Sequence, residues 1–190
     1  MRRLLDSIAV QTFRDFEVVV TDDSPGFEVN ALCERYKETC NLCYFRNLVP
    51  LGSPENWNEA VRKAGGKWIK IMHDDDWFSD ANSLSAFAQA ADKSPNASFI
   101  FSAYRDVFLD ENRERVMYVP SRRYKAFLKD ATVLFARNII GPPSVVLYRR
   151  SSAVRFDPAV KWVVDIDFYI RSLRAGKPAY IDKVLVNVGL

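Results

Sequence analysis

The stretch Lys67-Trp68-Ile69-Lys70-Ile71-Met72-His73-Asp74-Asp75-Asp76-Trp77-Phe78 sets a short apolar run against three consecutive aspartates. The run, Trp68 to Met72, reads as a buried strand whose carboxyl end is the acidic triplet. Three adjacent carboxylates repel one another, and burial makes the repulsion worse. Solvent, a cation or hydrogen-bond donors must offset that cost. A second strand, Phe16-Glu17-Val18-Val19-Val20, runs into another acidic pair, Asp22-Asp23, within the turn-forming Thr21-Asp-Asp-Ser-Pro-Gly26.

Around these two strands, helix and strand patterns alternate. Residues 2–10 read as a helix with Leu4, Leu5 and Ile8 on one face, and 28–38 and 54–64 as further helices, the last closed by Gly65-Gly66. Leu84, Phe87, Ala88 and Ala91 recur at helical spacing over 83–92. Strands are expected at 43–47, 98–104, 144–148 and 180–188, and a helix between Asp165 and Gly176. This order predicts an α/β fold with a mixed, mainly parallel sheet flanked by helices. In open sheets of this kind ligands sit outside the carboxyl ends of the strands. Asp22-Asp23 and Asp74-Asp75-Asp76 are therefore expected on one sheet edge, lining one acidic crevice.

Composition narrows the chemistry. The 190 residues suffice for one domain with a real core. No apolar run approaches the roughly 20 residues that span a bilayer, and the opening Met-Arg-Arg-Leu-Leu-Asp lacks the apolar stretch of a secretory signal. A cytoplasmic protein is the expectation. The net charge of +3 is too small to argue for a nucleic-acid partner. The basic pairs Arg2-Arg3, Arg122-Arg123 and Arg149-Arg150 read as solvated surface; the alternative is contact with anionic lipid or phosphate, which would place the protein peripherally at the inner face of a membrane. The odd set of cysteines, Cys33, Cys40 and Cys43, suggests free thiols, and Cys40-x-x-Cys43 is half a zinc site with no second half. His73 is the single histidine, which excludes multi-histidine metal sites and leaves titrating chemistry mainly to carboxylates.

Oxygen ligands suit Mg²⁺ or Mn²⁺, ions that usually bind through one or two carboxylates plus substrate phosphates. A cation-bridged diphosphate is the natural guest of the triplet, with one carboxylate on the metal and another on a ribose hydroxyl. The alternative is an acidic loop satisfied by backbone N–H groups and by Lys67 or Lys70. For Asp22-Asp23 the alternative to a binding role is ordinary turn chemistry. In Trp162-Val-Val-Asp-Ile-Asp-Phe-Tyr-Ile-Arg171, Asp165 and Asp167 diverge on a helix, so one of them faces a given cleft. Asp165 is either an N-cap or a general base, and Arg171 pairs most simply with Asp167 at i,i+4. Trp57, Trp77, Trp162 and Tyr104 could stack on sugar rings or serve as core.

Four segments in order then carry a resemblance: Arg2–Ser24 with its Gln-Thr-Phe-x-Asp-Phe-Glu turn, Asn56–Trp77 ending in the aspartates, Gly141-Pro-Pro-Ser-Val-Val-Leu-Tyr-Arg-Arg150, and Phe156-Asp-Pro followed by Trp162–Gly176. Together they resemble family 2 glycosyltransferases of the GT-A fold. The resemblance implies one domain over 1–190, with a nucleotide-sugar-binding half at 1–110 and an acceptor-side, base-carrying half at 111–190. It implies inverting transfer of a sugar from a nucleotide-diphospho-sugar, with a family lean to uridine, to a hydroxyl of a glycan or lipid-linked acceptor, as in polysaccharide synthesis. It assigns Asp22 or Asp23 to the nucleotide base, Asp74 to the ribose, Asp75 to a Mn²⁺ or Mg²⁺ ion with Asp76 close by, and Asp165 to the catalytic base. Val164 stands where the family usually has Glu, and His73 where many members have the first Asp of the D-x-D motif. The family normally opens with a strand before the first helix and continues beyond the last residues seen here, which implies a chain shortened at both ends. Two other readings of strand-end aspartates remain: a metal-dependent phosphohydrolase or nucleotidyl transferase, which would release phosphate without an acceptor, and a non-catalytic binding module, which would not bind nucleotide.

Overall fold

A computed structural model describes residues 1–152 and 154–190. Helix α1 (Arg2–Ala9) buries Leu4, Leu5 and Ile8, as its periodicity requires. Strand β1 (Val18–Asp22) starts later than expected and carries Asp22 inside the strand. The expected single helix over 28–38 is two, α2 (Glu28–Glu34) and α3 (Lys37–Cys40), and the second ends at Asn41 in the left-handed conformation. Strand β2 (Leu42–Arg46), helix α4 (Glu55–Lys63) and the short β3 (Trp68–Lys70) follow. The two-residue β4 (Trp77–Phe78) lies directly after the aspartates, and α5 (Ser83–Lys93) after it.

Strand β5 (Phe99–Phe108) is the spine of the main sheet, and its residues Phe99 to Ala103 are all buried. A run buried on both faces reads as continuously apolar, which is why Ser98–Tyr104 was legible as a strand. Strand β6 (Arg113–Met117), helices α6 (Ser121–Lys129) and α7 (Val133–Ala136), strand β7 (Val146–Arg149), helix α8 (Val164–Ser172) and strand β8 (Ala179–Gly189) complete the chain. Aromatic rings fill the space between the sheet and α8: Phe156 stacks on Phe168 at 4.3 Å, and Phe168 meets Tyr148 edge-on at 4.9 Å.

The fold is α/β with a mixed sheet, but the expected excess of parallel pairing is not realised. Among the described residues, only β1–β2 and β5–β8 pair in parallel; β3–β7, β4–β8, β5–β6 and β5–β7 are antiparallel. Parallel strands need long crossovers, whereas β5 and β6 are joined by a short turn ending at Asn112 with φ +47°. Helix and strand alternate in the first half of the chain, but after β5 the chain turns straight back into β6 with no crossover helix. A second correction concerns the single sheet edge. Strand β1 pairs with β2 in a separate two-stranded sheet, while β3 lies at the end of the main one, in the order β3-β7-β5-β8-β4. The small sheet is tied to its neighbours by side chains. The Thr21 hydroxyl donates to the Asn56 carbonyl and the Asn56 amide to the Thr21 carbonyl, both at 3.1 Å. Glu17 accepts the backbone N–H groups of Gly65 and Gly66.

Candidate active site

The acidic triplet is a tight turn. The backbone N–H of Asp76 donates to the His73 carbonyl at 3.2 Å, which brings residues 73 and 76 side by side. His73 Nδ1 stands 3.9 Å from Asp76 Oδ2. One ligand atom from each of His73, Asp75 and Asp76 can be chosen so that all lie within 4.8 Å of one another. Asp74 lies outside this group and is exposed, as is the Asp75 side chain. Asp76 is only 2% exposed. Its Oδ1 accepts the Gly189 N–H at 3.1 Å, and its Oδ2 has no partner. Burial pushes the Asp76 carboxyl above the usual carboxylate range.

The turn is clamped from three sides. Strand β8 pairs with β4 and delivers Gly189 against Asp75, where a Cβ would lie 2.5 Å from the Asp75 carbonyl oxygen. The Ser144 hydroxyl accepts the His73 backbone N–H at 3.0 Å. The Trp57 indole stacks on the His73 ring at 5.1 Å and meets Phe156 edge-on. Lys70 does not neutralise the aspartates through an ion pair. Its ammonium donates to the Ser144 carbonyl and lies over the Phe87 ring at 4.8 Å, and burial lowers its pKa to about 7. The aspartates thus lack the lysine partner that a self-satisfied acidic loop would use. A cation fits what remains: a buried carboxylate oxygen without a partner, an exposed carboxylate and an imidazole. Donors on one such ion, each about 2.1 Å away, stand at most about 4.2 Å apart, so the group needs to close only slightly.

The second carboxylate of interest is fixed by the same segment that holds His73. Asp165 lies in the first turn of α8, one residue inside the helix; the N-cap position belongs to Val163 in the left-handed conformation (φ +54°). Asp165 is therefore not the cap. Its Oδ2 accepts the Asn138 amide at 2.8 Å. Asn138 Oδ1 in turn accepts the N–H groups of Ile140 and Gly141, and the Gly141 carbonyl accepts the Tyr169 hydroxyl at 3.1 Å. Gly141 has φ +107°, and a Cβ there would lie 2.6 Å from the Tyr104 ring. Residues 138–144 thus form one bridge, with Asn138 on Asp165 at one end and Ser144 on His73 at the other. Burial raises the Asp165 carboxyl above its ordinary range, while the N–H groups at the helix start and the Asn138 amide partly offset the shift. Asp167 is taken: Arg171 grips it through Nε at 2.9 Å and through its terminal amine at 2.5 Å, as the i,i+4 spacing predicts.

Asp22 and Asp23 order their own surroundings. Buried Asp22 accepts the Ser24 N–H at 2.8 Å and the Tyr44 hydroxyl at 2.7 Å. Asp23 accepts the Asn47 amide and the N–H groups of Leu51 and Gly52, which fixes the loop after β2. These bonds lower both carboxyl pKa values against the opposing effect of burial. Of the candidate sugar-stacking rings, Trp57 packs on His73, Trp77 lies under the Arg3 guanidinium at 4.4 Å, Tyr104 faces Gly141, and Trp162 is 85% exposed. Cys33 and Cys40 are buried free thiols, and Cys43 is exposed.

Asn138, Ser144, Gly141 and Asn58 were not singled out by residue-level reading. Buried Asn58 satisfies both backbone groups of Phe156, donating to its carbonyl at 2.8 Å and accepting its N–H at 3.1 Å. The Gly141-Pro-Pro-Ser144 run entered only as part of the family resemblance, and nothing local in it shows that it joins two sites.

Residues 1–155 match the family model described as glycosyl transferase family 2. An uncharacterized glycosyltransferase of Haemophilus influenzae is 24% identical over 179 residues, covering 90% of this chain and 56% of that protein. The crystal structure of Staphylococcus aureus TarS 1–349 in complex with UDP-GlcNAc superposes with a TM-score of 0.75 at 21% identity, over 98% of this chain and 54% of that one. The mannosyltransferase PcManGT from Pyrobaculum calidifontis, in complex with GDP-Man and Mn²⁺, gives 0.69 at 16% identity, over 96% and 51%. At these identities the structural likeness is one of fold, and the chain spans about half the length of the relatives it matches.

Proposed function

Since this chain belongs to glycosyl transferase family 2, we propose that it transfers a sugar from a nucleoside-diphospho-sugar to an acceptor hydroxyl with inversion at the anomeric carbon. The observation that carries this reading is the 138–144 bridge, which links the half-buried Asp165 carboxylate, through Asn138 and Ser144, to the segment bearing His73, Asp75 and Asp76. Solved relatives in complex with UDP-GlcNAc and with GDP-Man support the donor class.

In this reading Asp165 is the general base. It takes the proton of the acceptor hydroxyl as that oxygen bonds to the anomeric carbon and the carbon–oxygen bond to the nucleoside diphosphate breaks. Burial suits it to the role, because a carboxylate raised above its ordinary pKa is a stronger proton acceptor near neutral pH. Asn138 aims it, and Asp167, held by Arg171, leaves the reaction to it. Asp75 and Asp76 would hold a divalent cation, Mn²⁺ or Mg²⁺, which supplies charge stabilisation for a departing diphosphate. Exposed Asp74 is free to accept a ribose hydroxyl. The Asp22-Asp23 corner, with the loop it orders, would receive the base. Residues 1–110 would then serve the donor, and 111–190 the acceptor and the base.

The test is a panel of UDP- and GDP-sugars offered with simple glycoside acceptors, with release of nucleoside diphosphate as the readout. Acceptor-dependent release that Asp165→Asn abolishes, without loss of nucleotide binding, is the expected result. Release that proceeds equally without acceptor and in Asp165→Asn would favour the phosphohydrolase reading instead.

A further inference from the structure

We infer that His73 is itself a ligand of the cation, so that the site has one nitrogen and two oxygen donors and selects a transition ion over Mg²⁺. This inference rests on the reading of the acidic turn as a cation site, and it narrows that site's chemistry. Three observations lead to it. The His73 ring belongs to the only group of three ligating side chains close enough to share an ion among the described residues. Its Nε2 is buried with no hydrogen-bond partner, and its Nδ1 stands 3.9 Å from the unpartnered Oδ2 of Asp76, itself 2% exposed. The ring is also held in place: Trp57 stacks on its face, and Ser144 fixes its backbone N–H. Nδ1, the nitrogen nearest the orphaned Asp76 oxygen, is the one placed to ligate, and a buried carboxylate oxygen left without a partner costs free energy unless something binds there.

The donor set decides the metal. Mg²⁺ is a hard ion that dehydrates reluctantly and takes oxygen ligands, whereas imidazole suits Fe, Ni, Cu and Zn ions; Mn²⁺ shares the oxygen preference of Mg²⁺ but sits at the foot of the transition series and accepts an imidazole nitrogen. Placing a histidine where an oxygen-only motif would have an aspartate exchanges one hard, charged donor for a neutral nitrogen. The net charge of the donor set falls from −3 to −2 by that exchange, which weakens Mg²⁺ further, because Mg²⁺ relies on charge more than on donor softness. Exposed Asp75 can swing to the ion, while Asp76 and His73 are already placed.

The experiment uses Mn²⁺ as the probe, bound to the full chain with and without UDP and followed by electron paramagnetic resonance. The expected spectrum shows ¹⁴N coupling from one imidazole, and Mg²⁺ at a hundredfold excess fails to displace the Mn²⁺. In His73→Asp the nitrogen coupling disappears, and Mg²⁺ competes at least tenfold better. Bound Mn²⁺ without nitrogen coupling, displaced equally well by Mg²⁺ in wild type and variant, would overturn the inference and leave the cation site standing. Failure of the wild-type chain to bind Mn²⁺ under either condition would overturn both. The wild-type spectrum alone decides the ligand question, so the outcome does not depend on the variant folding.

Discussion

Gly141→Ala strikes the joint between the two halves of the site. The residue holds φ +107°, and its missing Cβ would lie 2.6 Å from Tyr104 Cε1 and 3.0 Å from Cζ. Two costs follow. A side chain at positive φ costs about 1–3 kcal/mol in backbone strain, and a methyl forced into a packed ring costs about 1–3 kcal/mol more. The ring must retreat by most of an ångström to restore ordinary contact, or residues 138–144 must move and carry Asn138 off Asp165. The expected destabilisation is therefore about 2–6 kcal/mol, a large share of the 5–15 kcal/mol typical of a domain. Urea denaturation measures it as a fall in midpoint at unchanged slope. Tyr104→Leu in the same background separates the terms, since it removes the clash and leaves the strain. The double mutant should be less destabilised than the sum of the singles by about 1–3 kcal/mol. A Gly141→Ala protein within about 0.5 kcal/mol of wild type, or strict additivity with Tyr104→Leu, would refute this account of the joint.

Asn58→Ala orphans the buried N–H and C=O of Phe156 together, and at about 1–3 kcal/mol for each such group it should cost about 2–6 kcal/mol in chemical denaturation. Asn138→Ala removes a donor that favours the ionised form of Asp165, so its pKa rises further; the acid limb of the pH–rate profile moves to higher pH while UDP binding stays as it was. Asp165→Asn should raise the thermal midpoint at neutral pH. A carboxyl whose folded pKa is raised favours the folded state when protonated and loses that contribution as pH rises through the folded value, so the neutral amide spares the loss, and the gain should fade as pH falls toward about 4.

What could be read from the residues was what depends on neighbours in the chain. The Leu4, Leu5 and Ile8 face of α1, the apolar run of β5 and the Asp167–Arg171 pair are all set by local period, and each stands where its spacing put it. The acidic triplet follows a strand, as the apolar run suggested, but β3 already ends at Lys70, and Asp22 lies within β1 rather than after it. The misplacements came from long-range pairing. Strand β4 is two residues long, too short to show a pattern, and exists because β8 arrives from more than a hundred residues away to pair with it. The split of β1 and β3 into two sheets depends on which edges meet, which periodicity does not report. The same holds at the site. Asp165 and the acidic turn were each visible as chemistry, but their connection through Asn138 and Ser144 is a product of folding. His73 was visible as an exception to an oxygen-only motif, and its pairing with the orphaned oxygen of Asp76 became apparent only in three dimensions.

The central claim is that the turn at residues 73–76 holds a cation for a nucleoside diphosphate. Calorimetric titration of UDP into the chain, with Mn²⁺ and without it, beside Asp75→Asn, tests it most directly. The account predicts binding that requires Mn²⁺ and that falls at least tenfold in the variant. UDP binding of equal strength with and without the ion, unchanged in Asp75→Asn, would contradict it.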